Sequence, residues 1–187
     1  MKYIGTKDLE TERLILRKLT KQDAEQAYLN WCNSNEVSKY VMWDKHNSMD
    51  VTKKLYELWE SEYEKLDTYR WIIQIKETEE LIGTIDIPSK KFLKYGACEI
   101  GYCYGEKYWR KGYATEALKA VIKFLFEECD ANVVYAQHMS NNIVSGKVMK
   151  KAGMKCEGIL KNRIVDKNNN INDLISYSIT KEEYLNK

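Results

Sequence analysis

The stretch from Glu99 to Ala117, EIGYCYGEKYWRKGYATEA, constrains this chain more than any other. An extended segment of β character stops at the basic turn Trp109-Arg110-Lys111-Gly112-Tyr113, and a helix-patterned segment begins at once. A strand feeding a helix through such a turn gathers unpaired backbone N–H groups, the positive end of a helix dipole and two cations in one small volume. That combination suits a phosphorylated ligand. A glycine alone would mark only a strand–helix connection with positive φ. Here Arg110 and Lys111 add positive charge at a helix amino terminus, which is locally unfavourable unless an anion is present. Ala114 and Thr115 are small enough to admit a ligand close to the backbone, and the strand carries Gly101 and a carboxylate, Glu99, which an apolar core strand would not hold.

Periodicity places this turn inside an alternating α/β chain. Arg13–Leu19 alternates as a first strand, and Thr20 with Asp23 forms a capping box that opens a helix through Ala24, Ala27, Tyr28 and Trp31. A loop rich in Asn and Ser leads to a second helix over Ser48–Leu66. Strands follow at Tyr69–Lys76 and Leu81–Pro88, and Glu99–Tyr104 is the fourth. After the turn, Ala114, Ala117, Leu118, Val121, Ile122 and Leu125 trace one helical face, with Lys119, Lys123 and Glu127 off it. Asn132–His138 is a fifth, central strand. Asn142–Ala152 is a shorter helix closed by Gly153, and Met154–Val165 with Ile171–Ile179 form a closing hairpin.

Composition removes several function classes. Thirty Lys+Arg against 28 Asp+Glu leave a net charge of +2, which argues against a dedicated nucleic-acid binder. Five scattered cysteines without a C-x-x-C pair, and only two histidines, argue against a structural metal site and for a reduced, cytoplasmic protein. The amino terminus lacks the apolar run of a secretory signal, and no segment is long and apolar enough to span a bilayer. Neither a linker-like composition nor a repeat divides residues 1–187, so one domain is expected.

The chain resembles the GNAT superfamily of acetyl-CoA-dependent N-acetyltransferases, and within it the RimJ/RimL-type branch. The resemblance spans residues 11–180, nearly the whole chain. It begins at Thr11-Glu12-Arg13-Leu14-Ile15-Leu16-Arg17 and Asp23. It continues through Glu99-Ile100-Gly101-Tyr102 and Tyr108–Ala117, which match the pyrophosphate-binding segment. It ends with Asn142-x-x-Ser145 and Lys151-Ala152-Gly153-Met154, the second cofactor motif. The implied fold is an α/β (α+β) acyl-CoA N-acyltransferase domain, a mixed twisted sheet of about six or seven strands flanked by helices. The implied reaction is acetyl transfer from the cosubstrate acetyl-CoA to a primary amine by direct attack in a ternary complex, without a metal. The acceptor is either a protein N-terminus or a small molecule, with no nucleic acid or membrane involved; homodimers are common among similar proteins.

By that resemblance, the backbone of Arg110, Lys111, Gly112, Tyr113, Ala114 and Thr115 holds the CoA pyrophosphate. The fourth strand splays from the fifth, Tyr102, Cys103 and Tyr104 present backbone to the pantetheine arm, and the Cys103 N–H polarises the acetyl carbonyl. Asn142 caps its helix and hydrogen-bonds the pantetheine amide. Lys147, with Lys150 and Lys151, is either a solvated helix face or an attractor for the 3′-phosphate. Glu99 is the candidate general base, or else a strand-end carboxylate paired with Lys94. Two positions depart from the family pattern. Trp109 stands where Gln or Arg is usual, and Met149 occupies the place of a proton-donating tyrosine. Ser145, one turn earlier, either donates a hydrogen bond to the departing thiolate or simply permits close helix packing. The lost tyrosine leaves a second reading open, a non-catalytic CoA-binding sensor or scaffold. Trp43 is the best candidate for a wall of the acceptor pocket; His46 and His138 are read as structural.

Overall fold

The computed structural model describes residues 1–186. Its strands lie in two sheets. The first runs β1 (Leu9–Glu10), β2 (Leu14–Arg17), β3 (Arg70–Ile75), β4 (Leu81–Asp86) and β6 (Gly101–Tyr104), each antiparallel to its neighbour. The second has the order β5 (Ala97–Glu99), β7 (Val133–Met139), β9 (Ile171–Thr180) and β8 (Lys155–Val165), with β5 parallel to β7 and the rest antiparallel. The expected fourth strand is therefore two strands, one in each sheet. The chain changes sheets at Ile100, whose N–H still reaches Tyr135 O at 2.8 Å.

The first helix covers the expected residues, 21–32, but changes turn type along its length. Thr20 and Asp23 do form a capping box, with the Asp23 carboxylate also gripped by both Nη atoms of Arg17 at 2.8 and 2.9 Å. A 3-10 turn (Lys21–Asp23), the short α1 (Ala24–Ala27) and a π turn (Tyr28–Cys32) follow. The wide turn sets Asn30 against the first sheet, its amide donating to Leu81 O at 2.8 Å. A tertiary hydrogen bond thus outweighs helix propensity here. The Asn/Ser-rich loop contains α2 (Asn35–Ser38), capped by the Ser34 hydroxyl. The second long helix is α3 (Met49–Ser61), ending in a 3-10 turn before Lys65.

Two apolar cores hold the layers together. One joins both sheets to α4 (Tyr113–Glu127), which buries Ala117, Leu118, Val121, Ile122 and Leu125, the face expected from the pattern, and adds Phe124 and Phe126. Each buried Leu, Val, Ile or Phe side chain contributes about 1.5–3 kcal/mol. The other packs Trp31, Tyr56, Leu19 and Ala27 from the α1–α3 layer onto Ile72 and Leu81. The helix α5 (Ile143–Lys151) covers one face of the second sheet, and α6 (Lys181–Leu185) closes the described chain. Among the described residues, no helix is long and apolar enough to cross a membrane.

Candidate active site

The turn into α4 is an elbow of left-handed residues. Arg110 has φ +62° and Gly112 φ +87°. A non-glycine residue in that region is uncommon and costs backbone strain. The α4 ladder begins where the Glu116 N–H donates to Gly112 O at 3.1 Å, so the N–H groups of Tyr113, Ala114 and Thr115 open outward. Arg110, Lys111 and Gly112 are exposed. A depression of about 330 Å³ beside the elbow is lined by Glu12, Gly112, Thr115, Glu116, Lys119 and Lys151. The cations at its wall are Lys119 and Lys151. Of the three α5 lysines named from the sequence, Lys151 lines this depression, whereas Lys147 is exposed on α5 and is not among the lining residues.

The elbow is braced by the start of β2. Thr11 Oγ1 and the Arg13 N–H both donate to Glu116 Oε1, at 2.6 and 2.9 Å. The Arg13 guanidinium bonds Glu116 Oε2, donates to Lys111 O at 3.1 Å, and stacks over the Tyr113 ring at 4.5 Å. Burial pushes the Glu116 carboxyl up, but the donors from Thr11 and Arg13 outweigh it and hold the group below the ordinary carboxylate range. The sequence motifs contained all three residues without indicating that they meet. Contact across more than a hundred positions of chain has no local signal.

Where the chain passes from β5, which pairs with β7, to β6, which does not, a gap with hydrogen-bonding walls opens between β6 and β7. Backbone groups alternate sides along a strand. The Gly105 N–H donates to Ile82 O at 3.0 Å, and Thr84 is in register with Cys103. The amide and carbonyl of Cys103 therefore turn toward β4, and those of Tyr102 and Tyr104 turn into the gap. This corrects the expectation that the Cys103 N–H faces the acetyl group. Tyr104 O is already taken by Trp109 Nε1 at 2.7 Å, which gives the departing tryptophan a structural job. On the opposite wall the same alternation presents Gln137 and Met139, with Met139 O accepting from Asn142 N at 2.8 Å.

Side chains above and below the gap differ in chemistry. On the α5 side, the Asn142 side chain caps the helix by accepting from Ser145 N at 3.4 Å, as expected. Ser145 Oγ lies 2.9 Å from the phenol of Tyr102, and that phenol also donates to Ser145 O at 3.2 Å. Burial pushes the Tyr102 phenol up to about 12. Met149 is buried beneath α5.

Strand alternation places Glu99, Gly101 and Cys103 on the opposite face, beside Thr84 and Asp86. Glu99 is half-buried and meets the Tyr135 hydroxyl at 3.5 Å; Lys94 instead lies over the Tyr95 ring. Burial pushes the Asp86 carboxyl up to about 6 against the pull of Arg70, whose Nε is 3.5 Å away. Asp86 is not among the sequence candidates, although a lone carboxylate in the mostly apolar run Leu81–Ile87 is the kind of signal that could have found it. Burial also pushes the Cys103 thiol up to about 11, opposed by its hydrogen bond with Thr84. His46 is buried against Thr52, its Nδ1 2.7 Å from Thr52 Oγ1, and His138 is buried under α5; neither lines the gap. No group of three or more His, Cys, Asp or Glu among the described residues could hold a metal ion.

An outward-facing amide elbow, and a strand that leaves its neighbour to open a backbone-lined gap, together define a coenzyme-A-dependent acyltransferase architecture. The family model for the acetyltransferase (GNAT) domain matches residues 13–155, and the chain belongs to that family. It is 32% identical over 173 residues to the uncharacterized N-acetyltransferase YoaA of Bacillus subtilis (strain 168), covering 92% of this chain and 96% of that protein. It is 29% identical over 87 residues to the [ribosomal protein uS5]-alanine N-acetyltransferase of Escherichia coli (strain K12), 46% of this chain and 45% of that one. Among solved structures, an acetyltransferase (GNAT family) from Bacillus anthracis superposes with a TM-score of 0.82 at 26% identity, covering 95% of this chain and 100% of that one. The chain is thus an acetyl-CoA-dependent N-acetyltransferase.

Proposed function

We propose that the chain transfers the acetyl group of acetyl-CoA to a primary amine by direct attack in a ternary complex. The parting of β6 from β7 beyond Ile100 carries this reading, because it leaves donors and acceptors of both strands facing one slot. The amides from Arg110 to Thr115 take the pyrophosphate, with Lys119 and Lys151 at the mouth for further phosphate charge. Tyr102 and Tyr104 pair with the pantetheine arm from one wall, and Asn142 is near enough to the Met139 end of the other to take part. The acetyl end then lies toward the apex of the gap. There the Tyr102 N–H is the outward donor that polarises the carbonyl, a preorganised contact of the kind worth about 10²–10³ in rate.

Glu99 receives the proton that the ammonium must lose before its nitrogen can attack. Two observations support this role: Glu99 has no cationic partner among the described residues, and Lys94 lies over the Tyr95 ring. Ser145 lies on the other side of the gap and stabilises the departing sulfur. A covalent route through Cys103 is disfavoured, because a thiol pushed up to about 11 holds almost no thiolate at neutral pH.

The acceptor is a small-molecule amine or an amine on a protein, the second prompted by the ribosomal-protein acetyltransferase among the relatives. Incubation with acetyl-CoA and a panel of amines and peptide N-termini, followed by free thiol, tests the reading. Amine-dependent thiol release is the expected result. CoA binding without release from any amine would favour a coenzyme-binding sensor instead, the reading that Met149 in place of a proton donor invites.

A further inference from the structure

We propose that Asp86 binds a second cationic group on the acceptor, so that the chain selects amines carrying another positive charge a short distance from the reacting nitrogen. This rests on the acetyl-transfer reading above and names the acceptor class for the same site.

Position is the first support. Asp86 is in register with Gly101, one residue before the Tyr102 N–H that faces the gap. Strand alternation puts both on the face opposite the Tyr102 ring and α5. A Cβ on Gly101 would lie 3.1 Å from Asp86 Oδ1 and 3.4 Å from Pro88 Cγ. The glycine therefore leaves a notch beside the gap, with a carboxylate oxygen and an apolar ring for walls.

Charge is the second. The Arg70 guanidinium lies over the Trp59 ring and donates through Nη1 to Glu62 Oε2 at 2.9 Å, while its Nε stands 3.5 Å from Asp86 Oδ2. Asp86 Oδ1 accepts no hydrogen bond from any described residue. Glu99, on the same face, has no cationic partner among them. One guanidinium thus answers three carboxylates. An enclosed carboxylate with so long a contact keeps a desolvation cost that an incoming cation offsets. Burial pushes Asp86 up to about 6, which leaves it mostly ionised at neutral pH.

The two carboxylates then divide the work. Glu99 takes the proton of the nitrogen that reacts, and Asp86 holds the cation that does not. Diagonal neighbours on one sheet face stand about 7–8 Å apart, a separation that a short aliphatic chain between two nitrogens spans. An acceptor with a carboxylate beside its amine is repelled by both.

The test measures kcat/KM by thiol release for two matched pairs of acceptors, with the full chain. One pair is a diaminobutane with an amine at each end and butylamine. The other is a peptide N-terminus followed by Lys and the same peptide with norleucine. The wild type is expected to favour the doubly charged member of a pair about tenfold, the size of one hydrogen bond between charged groups, beyond the statistical advantage of two equivalent nitrogens. Preference in the first pair assigns a small-molecule acceptor, and preference in the second a protein N-terminus. In Asp86→Asn the ratio is expected to fall to near its statistical value, with KM for acetyl-CoA unchanged; Asp86→Ala removes the same charge should the first variant not fold. Equal use of both members of each pair by the wild type, or a preference that survives loss of the Asp86 charge, would overturn the proposal while leaving acetyl transfer standing. Absence of thiol release with every amine would overturn both.

Discussion

The Arg13 guanidinium and the Glu116 carboxylate meet at 2.6 Å, tying the start of β2 to the first turn of α4. The same guanidinium holds Lys111 O, so one ion pair fixes both sides of the Gly112 elbow. Arg13 is partly exposed, and such a pair contributes little to global stability by itself. Its effect is local, keeping the elbow amides aligned.

Glu116→Gln is therefore expected to weaken acetyl-CoA binding about three- to tenfold and to lower the melting temperature slightly at neutral pH, measured by calorimetry and thermal melts. The pH dependence has a definite sign. Glu116 is held below its ordinary range in the folded chain, so its stabilisation is complete above the unfolded pKa and is lost as pH falls through the folded value. Below about pH 4 the wild type should lose melting temperature faster than Glu116→Gln.

Gly112→Asp should reduce coenzyme binding to background while the far-ultraviolet circular dichroism stays native. The residue sits at φ +87°, where a side chain is strained, and a Cβ there would lie 3.3 Å from Arg13 Nη2. A carboxylate at that point also repels the diphosphate. Unchanged affinity would remove the elbow from the site.

Glu99→Gln should lower the rate at neutral pH on the order of 10²-fold, the usual size of a general-base contribution, with acetyl-CoA affinity unchanged. Activity should partly recover at high pH, where more of the amine is already deprotonated. A pH–rate profile of the two proteins decides it, and full activity of the variant at neutral pH would exclude Glu99 as the base.

Gly146→Ala reverses the usual effect of glycine replacement in a helix. Alanine gains about 1 kcal/mol of propensity in a helix interior. Here its Cβ would lie 2.6 Å from His138 Nε2, and that ring is held by Nδ1 on Met139 O at 2.8 Å. Overpacking of this kind costs about 1–3 kcal/mol, so the variant should melt lower. A raised melting temperature would mean the histidine moves freely.

Features that depend on near neighbours are legible in the sequence. The Gly112 elbow, the amphipathic face of α4, the Thr20–Asp23 capping box and the Asn142 cap are set by residues within a turn or two of each other, so their spacing was legible. The first helix lies where its pattern places it, but its π turn answers to Leu81, on another element, and has no local signal. Asp86 was passed over because its chemistry comes from burial beside Arg70 and Gly101.

The chain by itself determined a strand–elbow–helix with outward amides, and with it the class of ligand, because backbone conformation and helix periodicity are local properties. Tertiary structure alone decided which amides face the gap, which lysines stand at its mouth, and that Tyr102 meets Ser145 across two elements. Those outcomes depend on strand register and on the point where Ile100 changes sheets, and a one-residue difference there would turn every group to the other side.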